Sequence, residues 1–149
     1  MTLRMNGNPR EGLTTVHPKG WPRPKGYSNG VRVPAGRDLL FVAGQIGWNA
    51  RAEFETDVFS EQFEQALRNC VAVVEAAGGA AVDIVRLTMF CIDKSVYVGQ
   101  IVAVGEAYRR VLGKHFPTMS LLEVSRLLEP RAQIEIEATA ALLPAVGDD

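Results

Sequence analysis

Residues 116–138 read FPTMSLLEVSRLLEPRAQIEIEA, and their pattern decides the fold. Thr118–Ser125 is strand-like, with apolar residues at both odd and even positions. Leu127–Arg131 contains Pro130 and turns the chain. Ala132–Leu143 then alternates, placing Ile134, Ile136 and Ala138 on one side of a strand and Gln133, Glu135 and Glu137 on the other. A charged side chain would look natural at the start of such a run, yet Met119 precedes Ser120 there.

Working outward, residues 85–92 (VRLTMFCI) and 39–46 (LLFVAGQI) read as further strands. Residues 27–33 (YSNGVRV) read as a strand joined to 39–46 by the turn residues PAGRD, which predicts a hairpin. Between Asp57 and Ala77, apolar Phe59, Phe63, Leu67, Cys70, Val74 and Ala77 recur at helical spacing, and Gly78-Gly79 supplies a stop. A second helix starts with Ser95 as cap, carries Tyr97, Ile101, Val104, Tyr108 and Leu112 on one face, and ends at Gly113. The order strand, strand, helix, strand, helix, strand, strand predicts an α+β layer with a mixed sheet and two helices on one face. Residues 1–26, rich in Pro, Gly and Asn, are predicted to be an extended arm without regular structure. Residues 27–142 form the single domain, and 143–149 a tail.

Three of the strands are apolar on both faces, whereas two helices cover only one. The uncovered face predicts a homo-oligomer whose sheets pack together, with clefts at the subunit boundaries. The alternative is that the arm folds back over the sheet.

The chain of 149 residues, 47% hydrophobic, is long enough for one full core. Its 16 basic and 17 acidic residues nearly cancel and form no basic stripe, which argues against a nucleic-acid partner. No apolar run approaches a membrane span and the N-terminus has no apolar signal core, so no membrane partner is expected and a cytoplasmic protein is. Cys70 and Cys91 fall at apolar positions that packing explains. The two histidines, His17 and His115, have no metal-ligand or triad spacing around them, so neither a metal nor another cofactor is expected.

The ordered pieces GYSNGV, FVAGQI, QALRNCVAVVEAAGG, DIVRLTMFCID, EAYRRVL, FPTMSLLEVSRL and IEIEATA resemble the RidA/YjgF family, formerly described as L-PSP endoribonucleases. The resemblance spans about Tyr27 to Ala140. It implies a chorismate-mutase-like fold and a homotrimer whose strands close a barrel. It further implies three small-molecule sites at the subunit boundaries and, in the best-known branch, cofactor-free hydrolysis of reactive imines and enamines.

On that resemblance, Tyr27, Ala43, Gly44, Gln45, Tyr97, Met119 and Ser120 line the substrate cleft, and Glu135 is the catalytic carboxylate that orients and activates water. Three positions depart from the family pattern. Its carboxylate-holding arginine is Met119, its Ser-Gly-Gln is Ala43-Gly44-Gln45, and an asparagine often found three residues before the helix tyrosine is Gly105, three before Tyr108. Losing an arginine–carboxylate contact weakens capture of an α-carboxylate by roughly 10- to 150-fold. A thioether packs against apolar groups but does not hydrogen-bond an anion. Arg126, Arg51 and Arg23 are the candidate replacement cations, each also readable as a solvated surface residue.

Every candidate also has a structural reading. Met119 suits interface packing, Tyr27 a hairpin end, Tyr97 the helix core and Gln45 a strand end. Glu123 and Arg126 suit an interfacial ion pair. Three functions follow: an imine hydrolase of shifted specificity, a non-catalytic small-molecule-binding trimer, and, least supported by the charge balance, a ribonuclease or translation inhibitor.

Overall fold

The structure, a computed structural model, describes residues 12–145. Its elements in chain order are β1 (Thr14–Val16), β2 (Gly30–Arg32), β3 (Asp38–Ile46), α1 (Phe59–Ala76), β4 (Ile84–Cys91), α2 (Lys94–Gly99), α3 (Ile101–Leu112), β5 (Thr118–Glu123) and β6 (Ile134–Leu142), with a 3₁₀ turn at Ala81–Asp83. Four strands form one mixed sheet in the order β3-β6-β4-β5. Only β4 and β5 run parallel, so α2 and α3 serve as the crossover that a parallel pair requires.

The alternation of β6 has the consequence the sequence implied: Ile134 and Ile136 are fully buried under the helices. Leu87 and Met89 on β4 face the same way, because Met89 pairs with Ile136 and Leu87 with Ala138. Helix α1 closes this core with Phe59, Phe63, Leu67, Cys70 and Val74. Burial of each large side chain contributes about 1.5–3 kcal/mol. The helix ends as its two glycines require. Gly78 takes φ +86°, and the N–H groups of Gly78 and Gly79 donate to the carbonyls of Glu75 (2.9 Å) and Val74 (3.0 Å), which is the Schellman arrangement.

Four expectations need correction. Residues 27–33 and 39–46 do not form a hairpin, since β2 pairs with β1, Val31 opposite Thr15. The Pro34–Asp38 segment turns the chain as its residues predict, but a long-range partner captures β2. The arm therefore contains regular structure at Thr14–Val16. The second helix is two helices separated at Gln100, whose backbone (φ −109°, ψ 20°) leaves the helical path. The break has a use: Gln100 Oε1 accepts the Ser60 N–H at 3.0 Å and so satisfies an amide in the first turn of α1, where Val58 has no capping side chain. The N-cap of α2 is Asp93, not Ser95. Ser95 donates its N–H (2.9 Å) and hydroxyl to the Asp93 carboxylate and holds that carboxyl below its usual pKa.

The sheet face away from the helices stays open within one chain. Phe41 is 74% exposed, Leu39 59% and Leu122 46%. The described part of the arm does not cover them. Among the described residues no helix is long and apolar enough to cross a membrane.

Candidate functional site

A cavity of about 420 Å³ lies between the β4–β5 side of the sheet and helices α1–α3. All three tyrosines of the chain line it. Tyr27 is held at its mouth by the next residue. Ser28 donates its hydroxyl to Phe116 O (2.5 Å) and its N–H to Pro117 O (3.1 Å), fastening the 25–28 segment to the entry of β5. Tyr97 packs edge-on against Phe59, ring centres 6.2 Å apart. Tyr108 stacks parallel to Phe116 at 5.6 Å and donates its hydroxyl to His115 O at 2.6 Å. Burial raises the Tyr108 phenol, and burial followed by the nearby Cys91 raises Tyr97, so both stay neutral donors at physiological pH.

Met119 enters this cavity from β5, because its register partner Leu87 faces the helices. Met89 and Leu121 complete an apolar floor. Of the sequence-predicted site residues, Tyr27, Tyr97 and Met119 thus come together. The others do not join them within one chain. Ser120, next along β5, pairs with Thr88 on the opposite face. Ala43, Gly44 and Gln45 sit on β3 at a break in register between Val42 and Gln45, and the Gln45 amide donates to Ala43 O at 3.1 Å. Glu135 on β6 pairs with Ile46 and Phe90 and lays its carboxylate over Gly44. β3 and β5 are opposite edges of the four-stranded sheet, about 14 Å apart, and Glu135, on β6 between them, points to the face away from the helices and the cavity.

Among the described residues two cations, Lys25 and Arg109, line the cavity, and no acidic residue does. Sequence reasoning missed both. The proposed replacements lie elsewhere. Arg51 pairs with Glu53 at 3.4 Å on the surface, Arg23 lines a separate depression beside His17, and Arg126 is outside the cavity. Glu123 accepts the Lys94 N–H at 2.8 Å, and no ion pair joins it to Arg126 among the described residues. A signal for Arg109 was present in the sequence. Helical side chains lean toward the N-terminus over position i−4, and i−4 is Gly105, which leaves that surface bare. Arg109 Nη1 lies 3.6 Å from where a Gly105 Cβ would stand.

Both thiols are buried: Cys70 donates to Ile136 O, and desolvation pushes it up to about 12. Neither belongs to the cavity lining. Among the described residues no group of three or more His, Cys, Asp or Glu is placed to hold a metal ion.

An open apolar sheet face, a helix-roofed aromatic cavity and a carboxylate lodged on a strand glycine define a class of small α+β proteins, and comparison with known proteins gives the family. Residues 22–142 match the family described as Endoribonuclease L-PSP. The chain belongs to this family, the RidA/YjgF proteins. It is 34% identical over 121 residues to a RutC family protein of Pyrococcus horikoshii, covering 80% of this chain and 90% of that one. It is 36% identical over 107 residues to the 2-iminobutanoate/2-iminopropanoate deaminase of Escherichia coli K12, covering 69% and 79%. The crystal structure of a Rid family protein of unknown function from Yersinia pestis superimposes with a TM-score of 0.77 at 30% identity, covering 87% of this chain and 98% of that one.

Proposed function

We propose that this protein hydrolyses a small imine or enamine, without cofactor, at clefts completed between copies in a homotrimer. The observation that carries the reading is the division of the site. The Tyr27–Tyr97–Met119 cavity opens near the β5 edge, and the Glu135–Gly44 cluster lies toward the β3 edge. A ring in which the β5 edge of one copy meets the β3 edge of the next brings the clusters together and covers Phe41, Leu39 and Leu122. The deaminase named among the relatives supports the chemistry.

In this reading Glu135 of one copy orients a water against the imine carbon held in the neighbour's cavity and takes its proton. The C–N bond of the resulting carbinolamine then breaks with proton return to nitrogen, giving a carbonyl compound and ammonia. Such general base–acid assistance is typically worth about 10² to 10⁴ in rate. Met119 gives the cavity an apolar floor that a small imine such as 2-aminoacrylate or 2-iminobutyrate cannot fill, which makes both poor substrates.

The test is a panel of imines generated by an amino-acid oxidase, with decay followed in the presence and absence of the protein. Acceleration for a member of the panel, lost in Glu135→Gln, supports the reading. Saturable ligand binding without acceleration of any imine favours a sequestering role instead. Rapid hydrolysis of 2-iminobutyrate would show that Met119 does not limit the substrate.

A further inference from the structure

The cavity differs from a plain apolar pocket in one respect: among the described residues, Lys25 and Arg109 are its only charged lining, and both are cations. Arg109 lies in the last turn of α3 beside Arg110, but the two behave differently. Arg110 turns away to pair with Glu64, which also pairs with Arg68. Arg109, a solvent-exposed residue, instead lies back over Gly105 at the rim of the cavity, and among the described residues no carboxylate pairs with it. A side chain larger than alanine at position 105 would compete for the space its guanidinium takes.

Resting on the imine-hydrolase reading above, we infer that Arg109, aided by Lys25, holds the carboxylate of the ligand, and that the substrate class is imino acids with a large aromatic or branched apolar side chain. The chemistry is spatially divided. The apolar floor of Met119, Leu121 and Met89 accepts a hydrophobic body, the rings and hydroxyls of Tyr27 and Tyr97 offer edges and polar contacts, and the anionic end lies at the α3 wall. A cation at position 119 would place charge against that floor. Met119 keeps it apolar while Arg109 supplies the charge from another side, and a fork-shaped guanidinium suits a carboxylate better than an ammonium does.

The experiment is calorimetric titration with phenylpyruvate, the keto acid that hydrolysis of an aromatic imino acid would release, and with phenylacetone, in which a methyl group replaces the carboxylate. The full-length protein is expected to bind phenylpyruvate more tightly than 2-oxobutyrate. Arg109→Gln should weaken phenylpyruvate by roughly 10- to 150-fold and leave phenylacetone unchanged. The assignment is overturned if phenylpyruvate does not bind the parent protein, if Arg109→Gln binds it within threefold of the parent, or if both ligands weaken equally. Failure of the underlying reading looks different. Arg109-dependent binding without hydrolysis of the phenylalanine-derived imine would sink the hydrolase and keep the ligand class. Undiminished hydrolysis of that imine by Arg109→Gln at subsaturating substrate would do the reverse.

Discussion

The carboxylate of Glu135 occupies the space that a side chain at Gly44 would need: Glu135 Cδ lies 2.8 Å and Cγ 2.9 Å from the position of a Gly44 Cβ, with Oε1 nearer still. Gly44 is therefore required by proximity rather than by backbone angle, since it is not among the positive-φ residues. The relationship explains how a carboxylate on β6 is aimed at the β3 edge, where the break in register bares the strand.

Gly44→Ala is accordingly expected to move the Glu135 carboxylate while leaving the fold intact, because the flexible end of a glutamate can give way. Activity on the best imine should fall toward that of Glu135→Gln, a loss of about 10² to 10⁴. The double variant should lose little more than either single one, since both remove the same function. Melting temperatures and assembly should stay near the parent's. Additive losses would mean that Gly44 acts through something other than Glu135.

Assembly is tested at Phe41. Leu39 and Phe41 lie two residues apart on β3 and share the open face, and each large side chain left in water forfeits about 1.5–3 kcal/mol of burial. Light scattering should give three times the 16.2 kDa chain mass for the parent. Phe41→Asp should dissociate it and abolish imine hydrolysis together, while circular dichroism of the chain is retained. A parent that stays monomeric at micromolar concentration would refute the divided site.

How far the sequence could be read depends on whether a signal is local. The α1 spacing, the Gly78-Gly79 stop and the β6 alternation are local and were legible, as was the open sheet face that follows from apolar residues on both sides of β3 and β5. The partner of β2 was not legible, because residues 34–38 announce a turn without saying which strand will pair. Thr14–Val16 is too short to show a period. The Gln100 break was hidden because apolar spacing runs through it from Tyr97 to Leu112. Of the cavity, the grouping of Tyr27, Tyr97 and Met119 was legible through the family pattern. Arg109 was not, because periodicity alone assigns it to the solvent side, and only its relation to Gly105 redirects it.

Gln62 is a further residue that apolar periodicity passes over. Fully buried on α1, its amide donates to Thr56 O (3.1 Å) and Arg131 O (3.0 Å), and its carbonyl accepts the Gln133 N–H (2.9 Å). It ties both loops that flank the helix and β6 to one point. Gln62→Leu keeps the volume but strands three backbone groups, which should cost about 2–4 kcal/mol in urea unfolding. A loss below about 1 kcal/mol would mean that water replaces the amide.

Alkaline pH should expose the dry core. Burial raises the Cys70 thiol from 9.0 to about 12 in the folded chain, whereas in the unfolded chain it ionises near its ordinary value. Between about pH 9 and 12 the unfolded ensemble then binds fewer protons than the folded one, so stability is full below pH 9 and falls as pH rises. The slope from Cys70 alone is about 1.4 kcal/mol per pH unit. Tyr108, also raised by burial, adds to it above pH 10. The measurement is the urea midpoint of the parent and of Cys70→Ser from pH 8 to 11, because the difference between the two proteins removes the contribution of lysines and surface tyrosines. Cys70→Ser keeps a donor for Ile136 O but does not titrate, so the two curves should run parallel below pH 9 and converge above it. Parallel curves throughout would mean that the Cys70 thiol ionises in the folded chain, and that water reaches the seam between α1 and β6.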